Sequence, residues 1–149
     1  MLLATKSDFE KVKETFYLHK KWFPHIRTDY MMRRIEANQC VFEDGIVITF
    51  HNTKVRQKIG NVRLEKGDTV LHQIANSQPG SGMAPVVLKN FFDWCEKNVY
   101  LSVRADNTVA RAFYDKVGMK EVGTCSWAKG TLPGVVYVRY KQSDRTSLY

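Results

Sequence analysis

The stretch Asn107-Thr108-Val109-Ala110-Arg111-Ala112-Phe113-Tyr114-Asp115-Lys116-Val117-Gly118-Met119 decides how the rest of the chain is read. It contains no proline and its apolar residues recur at helical spacing, which predicts a helix from Thr108 to Val117 closed by Gly118. Asn107, Ala110 and Tyr114 fall at i, i+3 and i+7, so they share one helix face. A polar residue at the helix start, a small one mid-face and a phenol one turn further on suit a narrow ligand. The same spacing is also met by a capped amphipathic helix that buries Phe113 and Val117.

Outward from this helix the pattern is that of strands. Val99–Val103 precedes it, and Met119–Trp127 and Val135–Lys141 follow it. Upstream lies Leu71-His72-Gln73-Ile74-Ala75-Asn76-Ser77-Gln78-Pro79-Gly80-Ser81-Gly82-Met83-Ala84, which reads as strand, loop and helix start. A glycine-containing loop at a helix start bares backbone N–H groups and points the positive end of the helix dipole at one place, a combination that binds phosphate. Such loops are also plain turns. The helix then runs from about Ala84 to Lys97, with Val87, Leu88, Phe91, Phe92 and Cys95 as its buried stripe.

The first half of the chain completes the order. Ser7-Asp8-Phe9-Glu10 has the form of a capping box, and Phe9, Val12 and Phe16 mark a helix to about Lys21 that Pro24 stops. Thr28-Asp29 can cap a second helix, from Tyr30 to about Ala37. Cys40–Phe42 and Ile46–Phe50 flank Asp44-Gly45, a two-residue hairpin signal. Ile59–Leu64 and Thr69–Ala75 read as further strands around a turn at Lys66-Gly67-Asp68. The implied fold is α/β (α+β by some schemes): a single mixed, mostly antiparallel sheet of about six to seven strands, with a central βαβ unit and helices on both faces. One domain is expected over residues 1–149, with 142–149 as a frayed tail.

Composition bounds the function. The chain has 149 residues, 44% hydrophobic and 26% charged, which is ordinary for a globular domain. No apolar run approaches the roughly 20 residues needed to cross a bilayer, and a cytoplasmic protein without a membrane partner is expected. Cys40, Cys95 and Cys125 show no metal-ligand spacing, so no metal site is expected. The net charge of +8 favours anionic partners. Residues 1–68 carry 13 Lys+Arg against 9 Asp+Glu, and residues 69–149 carry 10 against 6. The excess is spread evenly, so nucleic-acid binding follows from it only weakly.

The spacing N-x-x-A-x-x-F-Y-x-x-x-G-M at 107–119 resembles the acetyl-CoA-binding helix of the GNAT superfamily of acyl-CoA-dependent acyltransferases, where N-x-x-A-x-x-[LF]-Y-x-x-x-G-F is common. The upstream loop is similar to the family's V-x-P-x-x-[RQ]-x-x-G-x-[GA]: Ile74, Asn76, Gly82 and Ala84 occupy the V, P, G and final positions. Pro79 stands at the Arg/Gln position and has no N–H to offer. The resemblance covers roughly residues 69–141.

It implies an acetyl-CoA-dependent N-acetyltransferase in which an amine attacks the thioester directly, in a ternary complex. Ile74, Ala75, Gln78, Gly80, Ser81, Gly82, Met83 and Ala84 would hold the donor, with Asn107, Ala110 and Tyr114. Tyr114 would be the general acid toward the leaving thiolate. His72, on the same strand face as Ile74, is the best-placed candidate for a general base, although a histidine in that place more often has a structural role. His19, His25 and His51 lie outside the matched region and need no role. Trp22, Tyr30, Trp127 and the Lys129–Gly134 loop are candidate walls for the acceptor, an unidentified amine. A nucleic-acid-binding or -modifying module, and a non-catalytic CoA-binding or interaction domain, are the alternatives. A monomer or homodimer is expected.

Overall fold

The structure, a computed structural model, describes residues 1–24 and 26–142. His25 and positions 143–149 of the expected tail lie outside the described residues. Along the chain come α1 (Phe9–Leu18), α2 (Thr28–Glu36), β1 (Cys40–Glu43), β2 (Ile46–Asn52), β3 (Gln57–Ile59), β4 (Val62–Leu64) and β5 (Thr69–Asn76). Then follow α3 (Met83–Trp94), β6 (Val99–Arg104), α4 (Thr108–Lys116), β7 (Lys120–Trp127) and β8 (Leu132–Arg139). The strands of the six-stranded sheet take the order β1-β2-β5-β6-β8-β7, and β3 and β4 form a separate ribbon. The β1–β2, β6–β8 and β7–β8 pairs are antiparallel. The mixed, mostly antiparallel α/β architecture expected from the sequence is the one observed.

The chain falls into two compact units, residues 1–51 with 70–91 and residues 52–69 with those from 92 onward. In the first, Asp44 and Gly45 take φ of 49° and 78°. They set the hairpin register in which Cys40 faces Thr49 and Glu43 faces Ile46. Ile46 to Phe50 are all buried, so β2 reads as one continuous apolar run rather than an alternating one. Val12 and Phe16 of α1 and Met31 and Ile35 of α2 pack with Cys40, Val47 and Ala75 into a core cluster. Phe16 meets Phe23 edge to face at 5.3 Å.

Both helix starts differ from the expected caps. The reciprocal cap is made by Thr5 and Asp8, the Thr5 amide donating to Asp8 Oδ2 at 2.8 Å, and a 3-10 turn over Lys6–Asp8 leads into α1. An Asp three residues after a Thr serves as well as Glu after Ser, and the earlier pair lets the 3-10 turn form. The cap of α2 is Arg27, whose side chain makes no capping hydrogen bond and instead pairs with Asp29 at 3.4 Å, and Thr28 is already helical.

In the second unit β8 lies between β6 and β7 and pairs with both, Tyr137 facing Leu101 on one side and Glu121 on the other. Val135 to Val138 are buried. The strand begins at Leu132, three residues earlier than expected, because Leu132, Pro133 and Gly134 continue the pairing with Trp127, Ser126 and Cys125. The expected single strand 59–64 is instead a tight hairpin, β3 and β4 joined at Gly60-Asn61.

That hairpin is tied to β7. The Asn61 amide donates to the Thr124 carbonyl at 3.1 Å, and the Thr124 amide donates to Asn61 Oδ1 at 2.9 Å. Gly60 has φ +57°, and a Cβ there would stand 2.0 Å from the Thr124 carbonyl oxygen. Burial pushes the Cys40 and Cys95 thiols up to about 12 and 11, so neither supplies thiolate at neutral pH.

Gly60→Val combines a backbone clash with a left-handed residue. It should destabilise the protein by roughly 2–4 kcal/mol, summing about 1–3 for overpacking and about 1 for positive φ. Urea denaturation would measure it, and a change below about 0.5 kcal/mol, the scale of an ordinary surface substitution, would show that the hairpin yields.

Candidate functional site

The first unit carries the loop between β5 and α3. Asn76 Oδ1 accepts from the Gln78 amide at 2.8 Å, the Ser77 amide donates to the Gly45 carbonyl at 2.8 Å, and the Ser81 amide donates to the Gln78 carbonyl at 3.1 Å. Ser81 Oγ accepts from the Met83 amide at 3.3 Å, closing the start of α3. Among the described residues the amides of Gly80 and Gly82 donate no hydrogen bond. Both residues are exposed with positive φ (+86° and +78°), and no atom lies within 4 Å of where their Cβ would stand. Pro85, in the first turn of α3, costs the helix no hydrogen bond. The result is a short polar cradle with two free N–H groups at the positive end of a twelve-residue helix.

Of the other loop residues singled out in the sequence, Gln78 and Ser81 are exposed and Met83 and Ala84 half-buried. Ile74 is half-buried and Ala75 buried, on the strand that enters the loop. The carbonyl of Asn76 is bonded to His19 Nε2 at 2.7 Å, which fixes the end of β5 to the residue that caps α1.

Beneath α2 the same unit holds a polar cluster. His72 Nε2 lies 2.5 Å from His51 Nδ1, and His72 Nδ1 lies 2.8 Å from Tyr30 Oη. Tyr30 also donates to Gln73 Oε1 at 2.9 Å, an oxygen that accepts from Thr49 Oγ1 as well. The imidazoles are perpendicular with centroids 4.8 Å apart, and Tyr30 stacks on His72 at 6.2 Å. Arg34 lies over the Tyr30 ring at 5.1 Å and donates to Gln39 Oε1 at 2.5 Å. Burial first, then the Arg34 charge and that of His51, lower His72 to about 4. Burial, then Arg34, lowers His51 as well. Both rings are therefore neutral at pH 7. His51 had no role in the sequence reading, and no local pattern marks it: only the pairing of two strands brings it to His72.

In the second unit Asn107 caps α4, its Oδ1 accepting from the Ala110 amide at 3.1 Å. Tyr114 is the buried residue of this helix, whereas Phe113 is only half-buried. Its ring lies 5.6 Å from Phe113 and 5.8 Å from Tyr137. Burial pushes the phenol up to about 12, so it keeps its proton throughout the neutral range. Among the described residues the hydroxyl has no hydrogen-bond partner, although no side-chain polar atom is both buried and unsatisfied. Arg111 fixes the helix, donating to the Ala105 carbonyl at 2.9 Å, to Glu121 at 3.2 Å and to Tyr137 Oη at 3.4 Å.

The candidate acceptor walls fare differently. Trp22 is 46% exposed, while Tyr30 is committed to the histidine cluster. Trp127 packs its ring over Gly134, whose Cβ would meet it at 2.4 Å. A groove of about 490 Å³ opens between α1 and the segment leading to α2, apolar at Phe16, Phe23, Ile26 and Met31 and with Lys20 and Lys21 among its lining residues. Among the described residues no three or more His, Cys, Asp or Glu side chains group as metal ligands. No helix among them is long and apolar enough to cross a membrane.

No protein-family model and no curated protein matches the sequence. Solved structures do. An acetyltransferase of the GNAT family from Bacillus cereus superposes with a TM-score of 0.71 at 16% identity, covering 95% of this chain and 96% of that one. The ribosomal-protein-S18-alanine N-acetyltransferase of Escherichia coli gives 0.64 at 14%, covering 99% and 96%. The yncA protein of Salmonella typhimurium, solved with its cofactor acetyl-CoA, gives 0.69 at 13%, covering 95% and 93%. At such identities the likeness is one of backbone, and over nearly its whole length this chain has the fold of the GNAT acetyltransferases.

Proposed function

We propose that the chain is an acetyl-CoA-dependent N-acyltransferase that acetylates a primary amine by direct attack on the thioester. The observation that carries this reading is the cradle after β5, where, among the described residues, the Gly80 and Gly82 amides donate no hydrogen bond and no atom lies within 4 Å of where a Cβ would stand. A diphosphate is the ligand such a cradle fits, being anionic and rich in acceptors. Gln78, Ser81, Met83 and Ala84 complete the same loop, and the Gly80 and Gly82 amides are the donors that make up for the N–H that Pro79 lacks. The donor, when bound, supplies an activated acyl carbonyl and a thiolate leaving group.

The chain's own residues have three tasks. Ile74 and Ala75 present backbone amides along the strand entering the cradle, suited to polarising a carbonyl. Asn107 and Ala110 form the polar and small positions of the α4 face, against which an extended amide-bearing arm can lie. Tyr114 holds a proton at Oη and offers it as a hydrogen bond. With the phenol near 12, it stabilises a thiolate by donating that bond more readily than by giving up the proton. Removal of the amine proton falls to the neutral histidine pair that includes His72.

Gly82→Trp tests the donor site: a Cβ there meets no atom within 4 Å, and because φ of +78° strains any residue but glycine, each protein is compared with its own ligand-free state. Wild-type protein should gain melting temperature with acetyl-CoA, by about 2.7 kcal/mol of stabilisation at a hundredfold excess over Kd. The variant should gain none relative to its own ligand-free state. An equal shift in both, or none in the wild type at millimolar ligand, would remove the basis for the reading.

Tyr114→Phe removes one oxygen that has no described partner, so the melting temperature should hold. The turnover number should fall by about 10²–10³-fold, as for loss of one donor at a developing anion, with KM for acetyl-CoA nearly unchanged. Unaltered turnover would show that the phenol only packs.

A further inference from the structure

We infer that the base taking the proton of the acceptor amine is Nε2 of His51, held as a proton acceptor by a hydrogen-bonded chain through His72 and Tyr30 to Gln73. This assignment rests on the acyltransferase reading above.

The protons of the cluster can be counted. Gln73 Oε1 has no hydrogen, so Tyr30 and Thr49 must both donate to it. A phenol has one proton, and Tyr30 has then spent it. The contact between Tyr30 Oη and His72 Nδ1 must therefore be made by a proton on Nδ1. A neutral imidazole carries only one N–H, which leaves His72 Nε2 as a lone pair facing His51 Nδ1. Nδ1 of His51 must donate, and His51 Nε2 is left with the lone pair. The terminal ring of the chain is thus a free base in fixed tautomer, as a triad orients its histidine, but with a neutral partner behind it.

Geometry and charge agree with this direction. His51 and Thr49 alternate on β2 and so share a strand face. Both meet consecutive residues of β5, His72 and Gln73, where the burial pattern of that strand departs from strict alternation. Ile74, whose amide is assigned to the thioester carbonyl, lies two residues beyond His72, about 6–7 Å along a strand. The titratable and charged groups facing the pair are Tyr30 and Arg34 of α2, and each ring faces the other. Among the described residues, no carboxylate acts on either ring to offset that lowering. The bond balance is simple. An N–H bond of the ammonium breaks and its proton bonds to His51 Nε2, leaving the electron pair on nitrogen to attack the carbonyl. The C–S bond then breaks with its pair on sulfur, and the second proton of the attacking nitrogen passes to that thiolate, giving the amide and a free thiol. His72 is then a positioning residue.

Nitrogen NMR of the imidazoles tests the chain without any turnover. At pH 7 both rings should carry their proton on Nδ1, and His51→Asn should shift the titration of His72. A proton on Nε2 of His51 would overturn the assignment, since a reversed Gln73 amide requires that. Turnover supplies the second arm. Asn keeps an N–H where Nδ1 stood but has nothing at Nε2, so His51→Asn should lose about 10²–10⁴-fold in kcat at pH 7.

Its stabilisation by acetyl-CoA should persist. In the wild type kcat should fall on the acid side below pH 6.5, as His51 takes up its proton, and this limb should vanish in His51→Asn. His72→Gln places an acceptor where Nε2 stood and should retain most of the rate, while His72→Leu should lose about as much as His51→Asn. If wild type acetylates a panel of primary amines and His51→Asn does so within about threefold, this assignment alone falls. If wild-type protein acetylates none of them, the acyltransferase reading falls and takes this one with it.

Discussion

A single phenolic proton beneath α2 faces two possible acceptors, Gln73 Oε1 and His72 Nδ1, and much of the chemistry of the first unit depends on which one takes it. Tyr30 can satisfy Gln73 or His72 but not both. Burying two imidazoles with no carboxylate between them is tolerable only if neither is charged. Arg34 reinforces that neutrality from above the Tyr30 ring. The cost is a ring that resists protonation, and its use is a ring whose tautomer is settled before any substrate arrives. Pre-organisation of this kind costs nothing at the moment of reaction.

The second unit uses its cations in another way. Lys97 donates to the Lys66 carbonyl, and Lys141 donates to those of Asp93 and Cys95 near the end of α3. Arg139 reaches the Gly118 carbonyl and lies over Phe92, while Arg104 pairs with Asp106. These side chains are ties between elements as much as they are surface charge. Positive side chains near helix C-termini also answer the dipole. The even spread of charge along the sequence has this as one structural counterpart.

Local signals were legible and long-range ones were not. Asp44-Gly45, the stripe Val87–Cys95 and the face Asn107–Ala110–Tyr114 are each set by contacts within a few residues, and the sequence shows them directly. So does the loop at 76–84, whose glycines have their meaning on their own backbone. By contrast Gly60 looks like any weak point in a strand until Thr124, more than sixty residues later, lies against it. His51 likewise carries no periodic mark, because its partner is on another strand. Periodicity measures the faces of an element and says nothing of which element each face meets.

The place of β8 has a further meaning for the order in which the protein is made. The strand between β6 and β7 is the last of the three to leave the ribosome. Until it does, the β6 edge that it will cover, Val99-Tyr100-Leu101-Ser102-Val103, has its eventual partner missing. At about 5–20 residues per second the wait is a few seconds. An apolar, β-prone edge open for that time is a template for pairing with another chain. The nascent chain is therefore open to misassembly over this interval, when the first unit has already been made.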